Sequence, residues 1–295
     1  MKLFTFRKNG KYALGVKTER GFIDVEAASS GQPRVPQTVM EVIAGGEAAL
    51  KALEELTAKQ DIGAHAVLNE EDLAWGPCVT DPGKIICVGL NYRKHADETN
   101  SPYPEVPILF NKYNNALTGH NCDIALPIMS EKVDYEAELG LVIGKTAKHV
   151  SKDNALGYIF GYSTANDVSA RDLQLKTKQW MIGKTCDGFC PLGPYLVTAD
   201  EVGNPDNLQL KTVVNGEVRQ NSNTADMIFD CAEIVSYISR HMTLYPGDVI
   251  LTGTPEGVIL GLPPEQQRYL QPGDVVTVEV EKLGALTNRF VAEQE

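Results

Sequence analysis

The sequence lacks any apolar run long enough to span a membrane, and it is poor in basic residues. No stretch of about 18 consecutive apolar residues occurs, so no transmembrane helix is expected. The N-terminus lacks the apolar centre and small-residue cleavage site of a signal peptide, which favours a cytoplasmic location. Lys and Arg number 27 against 39 Asp and Glu, a formal net charge of -12. This balance argues against nucleic acids and anionic membranes as partners, although it permits a small anionic substrate.

Cysteine is also scarce, with six residues scattered along 295 positions. Free thiols are therefore expected in place of a disulfide framework. Cys186 and Cys190 stand close together, but no second pair and no neighbouring histidine accompanies them, so a structural zinc site is not expected. The nearby Gly183-Lys184 pair resembles part of a phosphate-binding loop, yet Lys178 stands where the first glycine of that loop would be. Nucleotide binding is therefore discounted.

The composition is that of a globular protein, with 43% hydrophobic and 22% charged residues. Residues 2–25 alternate between apolar and polar around two turns, which predicts a three-stranded meander. An apolar stripe then predicts a helix over residues 47–59. Glycine and proline breakers end this region. We therefore expect a small N-terminal α+β module over residues 1–80 and a larger domain over residues 81–295.

The most informative stretch covers residues 133–144, where acids at alternate positions run into an apolar segment. A strand sends alternate side chains to opposite faces, so Asp134, Glu136 and Glu138 should share one face. The continuation into residues 141–143 indicates that the strand enters the core, where unpaired carboxylates are costly. A bound divalent cation would resolve this conflict. The alternative is the solvated face of an antiparallel strand.

A second candidate site follows the strand predicted over residues 84–89. Residues 91–100 are polar and precede another predicted strand, over residues 107–112. If the polar segment forms a helical turn, His95 and Glu98 lie on one face within hydrogen-bonding reach. A carboxylate beside an imidazole fixes its tautomer and raises its basicity, as a general base requires. The alternative is an ordinary surface pair, and the segment's position also suggests a lid.

A third acid stands at the end of a predicted strand. The strand over residues 157–165 delivers Asp167 to its C-terminal end. Ser169 is predicted to cap a helix from Ala170 to about Thr177. An aspartate in this position is a candidate functional acid, and a simple turn or capping aspartate is the alternative.

The C-terminal part is predicted to be largely β. Strands are expected over residues 207–214 and 217–221, and an amphipathic helix over residues 230–241. Two Pro-Gly-Asp turns, beginning at Pro246 and Pro272, should each launch a strand.

Between these turns, the segment Thr252-Gly253-Thr254 offers hydroxyls and open backbone amides. These groups could hold a substrate carboxylate. A β-turn with incidental threonines is the alternative.

Four motifs occur in a fixed order along the chain. Together they resemble the fumarylacetoacetate hydrolase family, from about residue 83 to the C-terminus. The resemblance implies an α+β, mainly β fold, with a mixed β-roll or sandwich catalytic domain. It also implies a homodimer that binds Mg²⁺ or Mn²⁺ and acts on a small 2-oxo acid. The motifs are His95-x-x-Glu98, Asp134-x-Glu136-x-Glu138, the segment from Asn166 to Gln174, and Thr252-Gly253-Thr254-Pro255-Glu256-Gly257.

The same resemblance implies a role for each matching residue. The metal ligands would be Glu136, Glu138 and Asp167, with Asp134 just outside the set. The catalytic residues would be His95, Glu98, Gln174 and Lys184. The substrate-binding residues would be Arg171, Thr252, Gly253 and Thr254, with Thr254 favoured in the turn.

One departure from the family pattern bears on the substrate. Fumarylacetoacetate hydrolases proper carry a fourth carboxylate shortly before the histidine, whereas residues 88–94 contain no acid. The chain is therefore more similar to the acylpyruvate hydrolase branch. This similarity implies hydrolysis of the C–C bond of an acylpyruvate or related 2,4-dioxo acid through a metal-stabilised enolate, with the dyad activating water. The alternatives are oxaloacetate decarboxylation, isomerisation of 2-hydroxyhepta-2,4-diene-1,7-dioate, and a non-catalytic metal-binding protein.

Overall fold

A computed structural model describes residues 1–30, 35–59 and 61–294. Strands dominate these ranges, and helices are mostly short, so the predicted α+β, mainly β class is confirmed. The strands are β1 Lys2–Lys8, β2 Lys11–Thr18, β3 Gly21–Asp24, β4 Val67–Leu68, β5 Ile85–Gly89, β6 Ile108–Lys112, β7 Leu117–Thr118, β8 Asp123–Leu126, β9 Val133–Asp134, β10 Ala137–Ile143, β11 Ile159–Asn166, β12 Ser169–Ala170, β13 Cys190–Pro191, β14 Leu196–Thr198, β15 Gln209–Val214, β16 Glu217–Asn223, β17 Val249–Leu251, β18 Val275–Val280 and β19 Gly284–Ala292. The helices are α1 Val25–Ser29, α2 Val39–Thr57, α3 Arg93–Glu98, α4 Lys152–Ala155, α5 Arg171–Gln174, α6 Met181–Lys184, α7 Ala199–Val202 and α8 Cys231–His241.

Within the described ranges, the largest sheet has ten strands in the order β4-β3-β2-β1-β14-β11-β10-β17-β5-β6. The predicted meander forms β1, β2 and β3. Strand β1 pairs antiparallel with β14 as well as with β2. The N-terminal strands are therefore continuous with the central sheet, and the division near residue 80 stays a prediction.

A second sheet has the order β16-β15-β18-β19-β8 and packs against β10 and β11. Every residue of β10 and β11 is buried, so these two strands form the centre of the core. The predicted Pro-Gly-Asp turns precede β17 and β18. In each turn the aspartate accepts a hydrogen bond from a backbone N–H three residues earlier, Asp248 from Tyr245 at 2.8 Å and Asp274 from Gln271 at 2.7 Å.

The predicted acidic strand is two strands. Strand β9 pairs with β12, whereas β10 pairs with β11 and β17. Tyr135 and Glu136 lie between them because the chain leaves one sheet and enters another at this point. The alternation therefore does not run through one continuous strand, although all three acids are buried.

Two helix predictions need correction. Helix α2 begins at Val39, where Thr38 caps it, and Gly46 interrupts it with φ 54° and ψ -136°. The predicted helix over residues 47–59 is its second half. Ser169 does not cap a helix, because its hydroxyl donates to the carbonyl oxygen of Asp167 at 2.8 Å and its backbone belongs to β12.

The predicted helix over residues 230–241 and the predicted free thiols are confirmed. Helix α8 begins after Asp230, whose side chain accepts a hydrogen bond from the backbone N–H of Glu233 at 2.8 Å. All six cysteines are free thiols, as expected. In the ranges that the structure describes, no helix has the length and apolar character needed to cross a membrane.

Candidate active site

Three buried carboxylates meet where β10 and β11 run side by side. The antiparallel register places Glu138 opposite Ala165. Just past the end of β11, the backbone N–H of Asp167 donates to the carbonyl oxygen of Glu136 at 2.9 Å. The side chains of Glu136, Glu138 and Asp167 each offer an oxygen within 4.8 Å of the others. The structure thus brings together the three residues predicted as metal ligands.

Two of these carboxylates have cationic partners. The Nζ atom of Lys184 lies 2.6 Å from Oε2 of Glu136 and 2.8 Å from Oδ2 of Asp167. Asp167 also pairs with Lys112, whose Nζ donates to the carbonyl oxygen of Val168 at 3.1 Å. Glu138 has no ion pair among the described residues. Its carboxylate accepts one hydrogen bond, from the backbone N–H of Gly253 at 2.7 Å.

The pKa values follow from this arrangement. Burial opposes ionisation of Glu136, but the charges of Lys184 and Arg171 outweigh it and hold the pKa of Glu136 well below its usual range. Burial also opposes the charge of Lys184, and Asp167 and Glu136 reverse the effect, so the pKa of Lys184 is raised. For Glu138, burial and then the charges of Asp167 and Glu136 raise the pKa well above its usual range. The charge of Lys184 opposes this rise but does not outweigh it.

The cluster fits a divalent metal ion. Three carboxylates supply oxygen donors only, the set preferred by hard cations such as Mg²⁺ and Mn²⁺. An ion among them would compensate Glu138, the one member of the cluster without an ion pair in the described part of the chain. The residues that would hold the ion are Glu136, Glu138 and Asp167.

Asp134 lies beside this cluster and has a different set of contacts. Its Oδ2 accepts a hydrogen bond from Nε of Arg171 at 2.9 Å. Its two oxygens also accept from the backbone N–H groups of Ile259 and Leu260, at 3.0 and 3.1 Å. Asp134 therefore fixes both Arg171 and the loop that follows β17.

Arg171 connects several predicted site residues. Its Nη1 lies 2.7 Å from Oε1 of Glu136 and donates to Oε1 of Gln174 at 3.0 Å. Because the Gln174 oxygen is occupied in this way, the amide NH₂ of Gln174 is the part left to donate to a bound molecule. The Nη2 atom of Arg171 lies 2.9 Å from Asp134 but makes no hydrogen bond of its own.

The histidine–glutamate pair predicted from spacing is present on α3. Nδ1 of His95 lies 2.7 Å from Oε1 of Glu98. With Nδ1 facing the carboxylate, Nε2 is the ring nitrogen available for proton transfer. His95 lines the same cavity as the carboxylate cluster. Its catalytic role stays a prediction.

This cavity has a volume of about 170 Å³. Thr254 lines it and accepts a hydrogen bond from Nε2 of Gln220 at 2.9 Å, which leaves the Thr254 hydroxyl proton to be donated. Thr252 and Gly253 do not line the cavity. The Thr252 hydroxyl donates a hydrogen bond to the carbonyl oxygen of Leu139 at 3.0 Å, and the backbone N–H of Gly253 donates one to Glu138. The geometry thus favours Thr254 over the other two for substrate binding. The lining consists of Val88, Gly89, Leu90, His95, Thr99, Ser101, Phe110, Glu136, Glu138, Arg171, Gln174, Leu175, Trp180, Lys184, Thr254 and Leu260.

Sequence reasoning missed Lys112, Phe110 and Trp180. Lys112 and Phe110 lie two residues apart on β6, and a strand places such residues on one face. The alternation places both side chains on one face but does not show whether that face is buried. Trp180 has no local sign either, because it follows the exposed residues 175–179.

The fold and the site define a mainly β, α+β protein with a buried acidic centre beside a histidine–glutamate pair. A family profile described as "Fumarylacetoacetate (FAA) hydrolase C-terminal" matches residues 84–291. The chain belongs to the fumarylacetoacetate hydrolase family, as its motifs predicted.

Several known proteins are similar to this chain. The Bos taurus protein "Oxaloacetate tautomerase FAHD2A, mitochondrial" is 44% identical over 274 residues, which cover 92% of this chain and 84% of the relative. The structure of fumarylacetoacetate hydrolase from Exiguobacterium antarcticum is 36% identical, with a TM-score of 0.83 and coverage of 99% of this chain and 100% of that one. The structure of maleylpyruvate hydrolase from Sphingobium sp. SYK-6, in complex with manganese(II) and pyruvate, is 28% identical, with a TM-score of 0.80 and complete coverage of both chains.

Proposed function

We propose that this protein is a metal-dependent enzyme that catalyses keto–enol proton transfer on oxaloacetate or a 2-oxo acid of similar size. The observation that carries this proposal is the shared cavity, in which His95 faces the same small space as Glu136 and Glu138. The 44% identity to a protein named oxaloacetate tautomerase supports the choice of reaction.

The proposed cofactor is Mg²⁺ or Mn²⁺, held by Glu136, Glu138 and Asp167. When bound, the ion supplies a Lewis acid for the keto and carboxylate oxygens of a 2-oxo acid. The manganese(II) in the maleylpyruvate hydrolase structure supports a metal of this kind.

The side chains then have distinct roles. Nε2 of His95 takes a proton from the carbon next to the keto group and delivers it to the oxygen of the resulting enolate, and the same transfer run backwards returns the enol to the keto form; Glu98 orients the ring. Lys184 uses two of its three N–H donors on Glu136 and Asp167, so the third can donate to the developing oxyanion. The hydroxyl of Thr254 is the donor available for a carboxylate of the substrate, and the buried positive charge of Arg171, which lines the same cavity, attracts that carboxylate.

Hydrolysis of an acylpyruvate is the second candidate, and one observation favours it. The free amide NH₂ of Gln174 and Nε2 of His95 face one cavity, so they could hold and deprotonate a water molecule. Oxaloacetate decarboxylation and dienedioate isomerisation would use the same groups. A non-catalytic metal-binding role is disfavoured, because it gives no reason for burying Lys184 and a paired His95.

The test is turnover of the purified protein with Mg²⁺ or Mn²⁺. Loss of enol absorbance follows oxaloacetate tautomerisation, pyruvate release follows decarboxylation, and loss of acetylpyruvate absorbance follows hydrolysis. We expect metal-dependent tautomerisation that a chelator abolishes and that Glu136→Gln loses. Glu131→Gln, an exposed acid on the same segment, is the control. Absence of oxaloacetate tautomerisation in the metal-loaded wild type would reject the proposal.

We also propose that the protein is a homodimer. Apolar side chains are exposed on β6, directly after it and on α6: Ile108 at 36%, Tyr113 at 51% and Ile182 at 43%. The Tyr113 hydroxyl lies 3.5 Å from the sulfur of Met181, so the segment after β6 lies against α6. Exposed apolar side chains that adjoin one another favour association. Light scattering would measure the mass, and Ile182→Glu should reduce it to that of one chain.

The cellular location stays a proposal as well. The sequence favours the cytoplasm, while the Bos taurus relative carries "mitochondrial" in its name. Fractionation of cells that express the natural gene would decide between the two compartments.

A further inference from the structure

One side of the cavity is formed by aromatic rings, and we call Gly89, Phe110 and Trp180 the aromatic wall. The rings of Phe110 and Trp180 meet edge to face, with centroids 5.3 Å apart and planes at 69°. Trp180 also covers Gly89 so closely that a Cβ there would lie 2.5 Å from its Cζ3 atom. Glycine at position 89 is therefore what allows the indole ring to occupy this position.

The aromatic wall begins at the carboxylate cluster and leads away from it. Nζ of Lys184 pairs with Glu136 and also lies 5.0 Å from the centroid of the Phe110 ring. Phe110 contacts Trp180, and Trp180 covers Gly89. A molecule held at the carboxylate cluster would thus extend along Phe110 toward Trp180 as its chain lengthens.

The charges in the cavity lie at one end of this path. Among the described residues that line the cavity, the lysine and arginine side chains are Arg171 and Lys184. Both pair with acids at the carboxylate cluster. The aromatic wall and its neighbours in the lining, Val88, Leu90 and Leu175, offer no charged group.

We propose that the aromatic wall selects short 2-oxo acids and, among longer ones, rejects those with a second carboxylate at the far end. A distal carboxylate would lose its hydration against the aromatic wall without gaining a cation, which is costly. Trp180 would also limit the length of an uncharged chain. Oxaloacetate is short enough for both carboxylates to stay near Arg171 and Lys184. This inference rests on the proposed function, because it takes from it that a 2-oxo acid binds at the carboxylate cluster.

The experiment is calorimetric titration of the Mn²⁺-loaded protein, which needs no turnover. The ligands are pyruvate, 2-oxobutanoate, 2-oxohexanoate and 2-oxohexanedioate. The last two differ only in the terminal carboxylate, so they separate charge from length. We expect affinity to fall at 2-oxohexanoate in the wild type and to fall further for 2-oxohexanedioate.

Variants of Trp180 test whether the aromatic wall causes this dependence of affinity on chain length. Trp180→Ala should bind 2-oxohexanoate roughly tenfold more tightly than the wild type does, the scale expected for hydrophobic pockets that gain space for a methylene. Binding of pyruvate should change little. Trp180→Phe, which keeps a ring against Phe110, should give an intermediate value and covers the case in which Trp180→Ala does not fold. Gln179→Ala, an exposed neighbour outside the lining, is the matched control and should behave as the wild type.

Two results would overturn the inference: the same dependence on chain length in the wild type and both Trp180 variants, or wild-type binding of 2-oxohexanedioate as tight as that of 2-oxohexanoate. Failure of the proposed function has a different signature. In that case oxaloacetate is not turned over, while the binding series still reports on the wall.

Discussion

Glu98 accepts a hydrogen bond from the backbone N–H of Gly257 at 2.9 Å. Its other oxygen faces Nδ1 of His95. This hydrogen bond connects α3, the helix that carries His95, to the loop after β17. The loop packs closely against Glu98, because a Cβ on Gly261 would lie 2.5 Å from the Glu98 carboxyl carbon. The orientation of the proposed base therefore depends on a loop that belongs to a different part of the sequence.

Replacing Glu98 tests this dependence. In Glu98→Gln the amide has one acceptor oxygen, so when that oxygen accepts from Gly257 the amide NH₂ group faces Nδ1 of His95 and favours the tautomer that carries its proton on Nε2, which cannot act as a base. Because loss of general-base function typically costs at least about a hundredfold in rate, we expect kcat to fall by roughly that factor, with KM little changed. Steady-state kinetics with oxaloacetate across a range of pH provides the measurement. Glu105→Gln, an exposed acid nearby in sequence, is the control. A kcat equal to that of the wild type would refute the assignment.

Asp134 and Arg171 form a buried ion pair that should contribute to stability. Removing one partner of a buried pair costs about 3–5 kcal/mol when it leaves the other charge uncompensated, but Arg171 keeps Glu136 as a second partner. Asp134→Asn should therefore lower the free energy of unfolding by less, about 1.5–3 kcal/mol for hydrogen bonds to a charged group, and leave the N–H group of either Ile259 or Leu260 without its acceptor. Urea denaturation measures the change. Asp123→Asn, on the exposed side of β8, should stay near the wild-type value. A loss no larger than that of the control would show that Glu136 alone compensates Arg171.

Site residues could be predicted from the sequence where the positions next to them in the chain carry the signal, and not where only a distant partner does. Glu136 and Glu138 are two residues apart, and Asp167 follows a strand that could be recognised from its apolar run. The family resemblance, which rests on the order of the motifs, also implies that these three acids lie together in one site. Lys112 was missed because its partner Asp167 is 55 positions away. Their contact depends on tertiary structure, because β6 and β11 are not neighbours in the sheet.

The errors in secondary structure have local explanations. Ser169 fits a helix cap by residue type, but its backbone pairs with Asp134 in β12 and β9, and this tertiary contact overrides the capping preference. The sequence predicts only the second half of α2, because Gly45 and Gly46 are helix breakers by residue type and the predicted helix starts directly after them. Gly46 is instead a break within the helix.

A half-buried histidine should make the protein sensitive to acid. His120 accepts a hydrogen bond from the backbone N–H of Thr287 at 3.0 Å and packs against Trp75. Burial lowers the pKa of His120 from 6.5 to about 4. Between these values the unfolded chain binds a proton that the folded chain does not. The stabilising contribution is therefore complete above about pH 6.5 and is lost as pH falls toward 4.

The corresponding variant is His120→Gln, which can still accept from Thr287. It should lose less stability than the wild type on acidification over this range, by up to about 3 kcal/mol. Denaturant unfolding at a series of pH values gives the comparison, and His149→Gln, an exposed histidine, should follow the wild-type curve. Identical curves for wild type and His120→Gln would assign the acid sensitivity elsewhere.

Glu138 gives the sharpest test of the metal centre, because its replacement should have opposite effects with and without the ion. Without metal, this carboxylate is buried beside Asp167 and Glu136, and no cation pairs with it in the described residues. Glu138→Gln removes that repulsion and keeps an acceptor for Gly253, so the metal-free variant should melt above the metal-free wild type. Saturating Mn²⁺ should stabilise the wild type by about 2.7 kcal/mol at about one hundred times Kd and the variant by much less. Thermal melts with Mn²⁺ and with a chelator measure both effects, with Glu131→Gln as the control. Equal stabilisation of wild type and Glu138→Gln by Mn²⁺ would remove Glu138 from the ligand set.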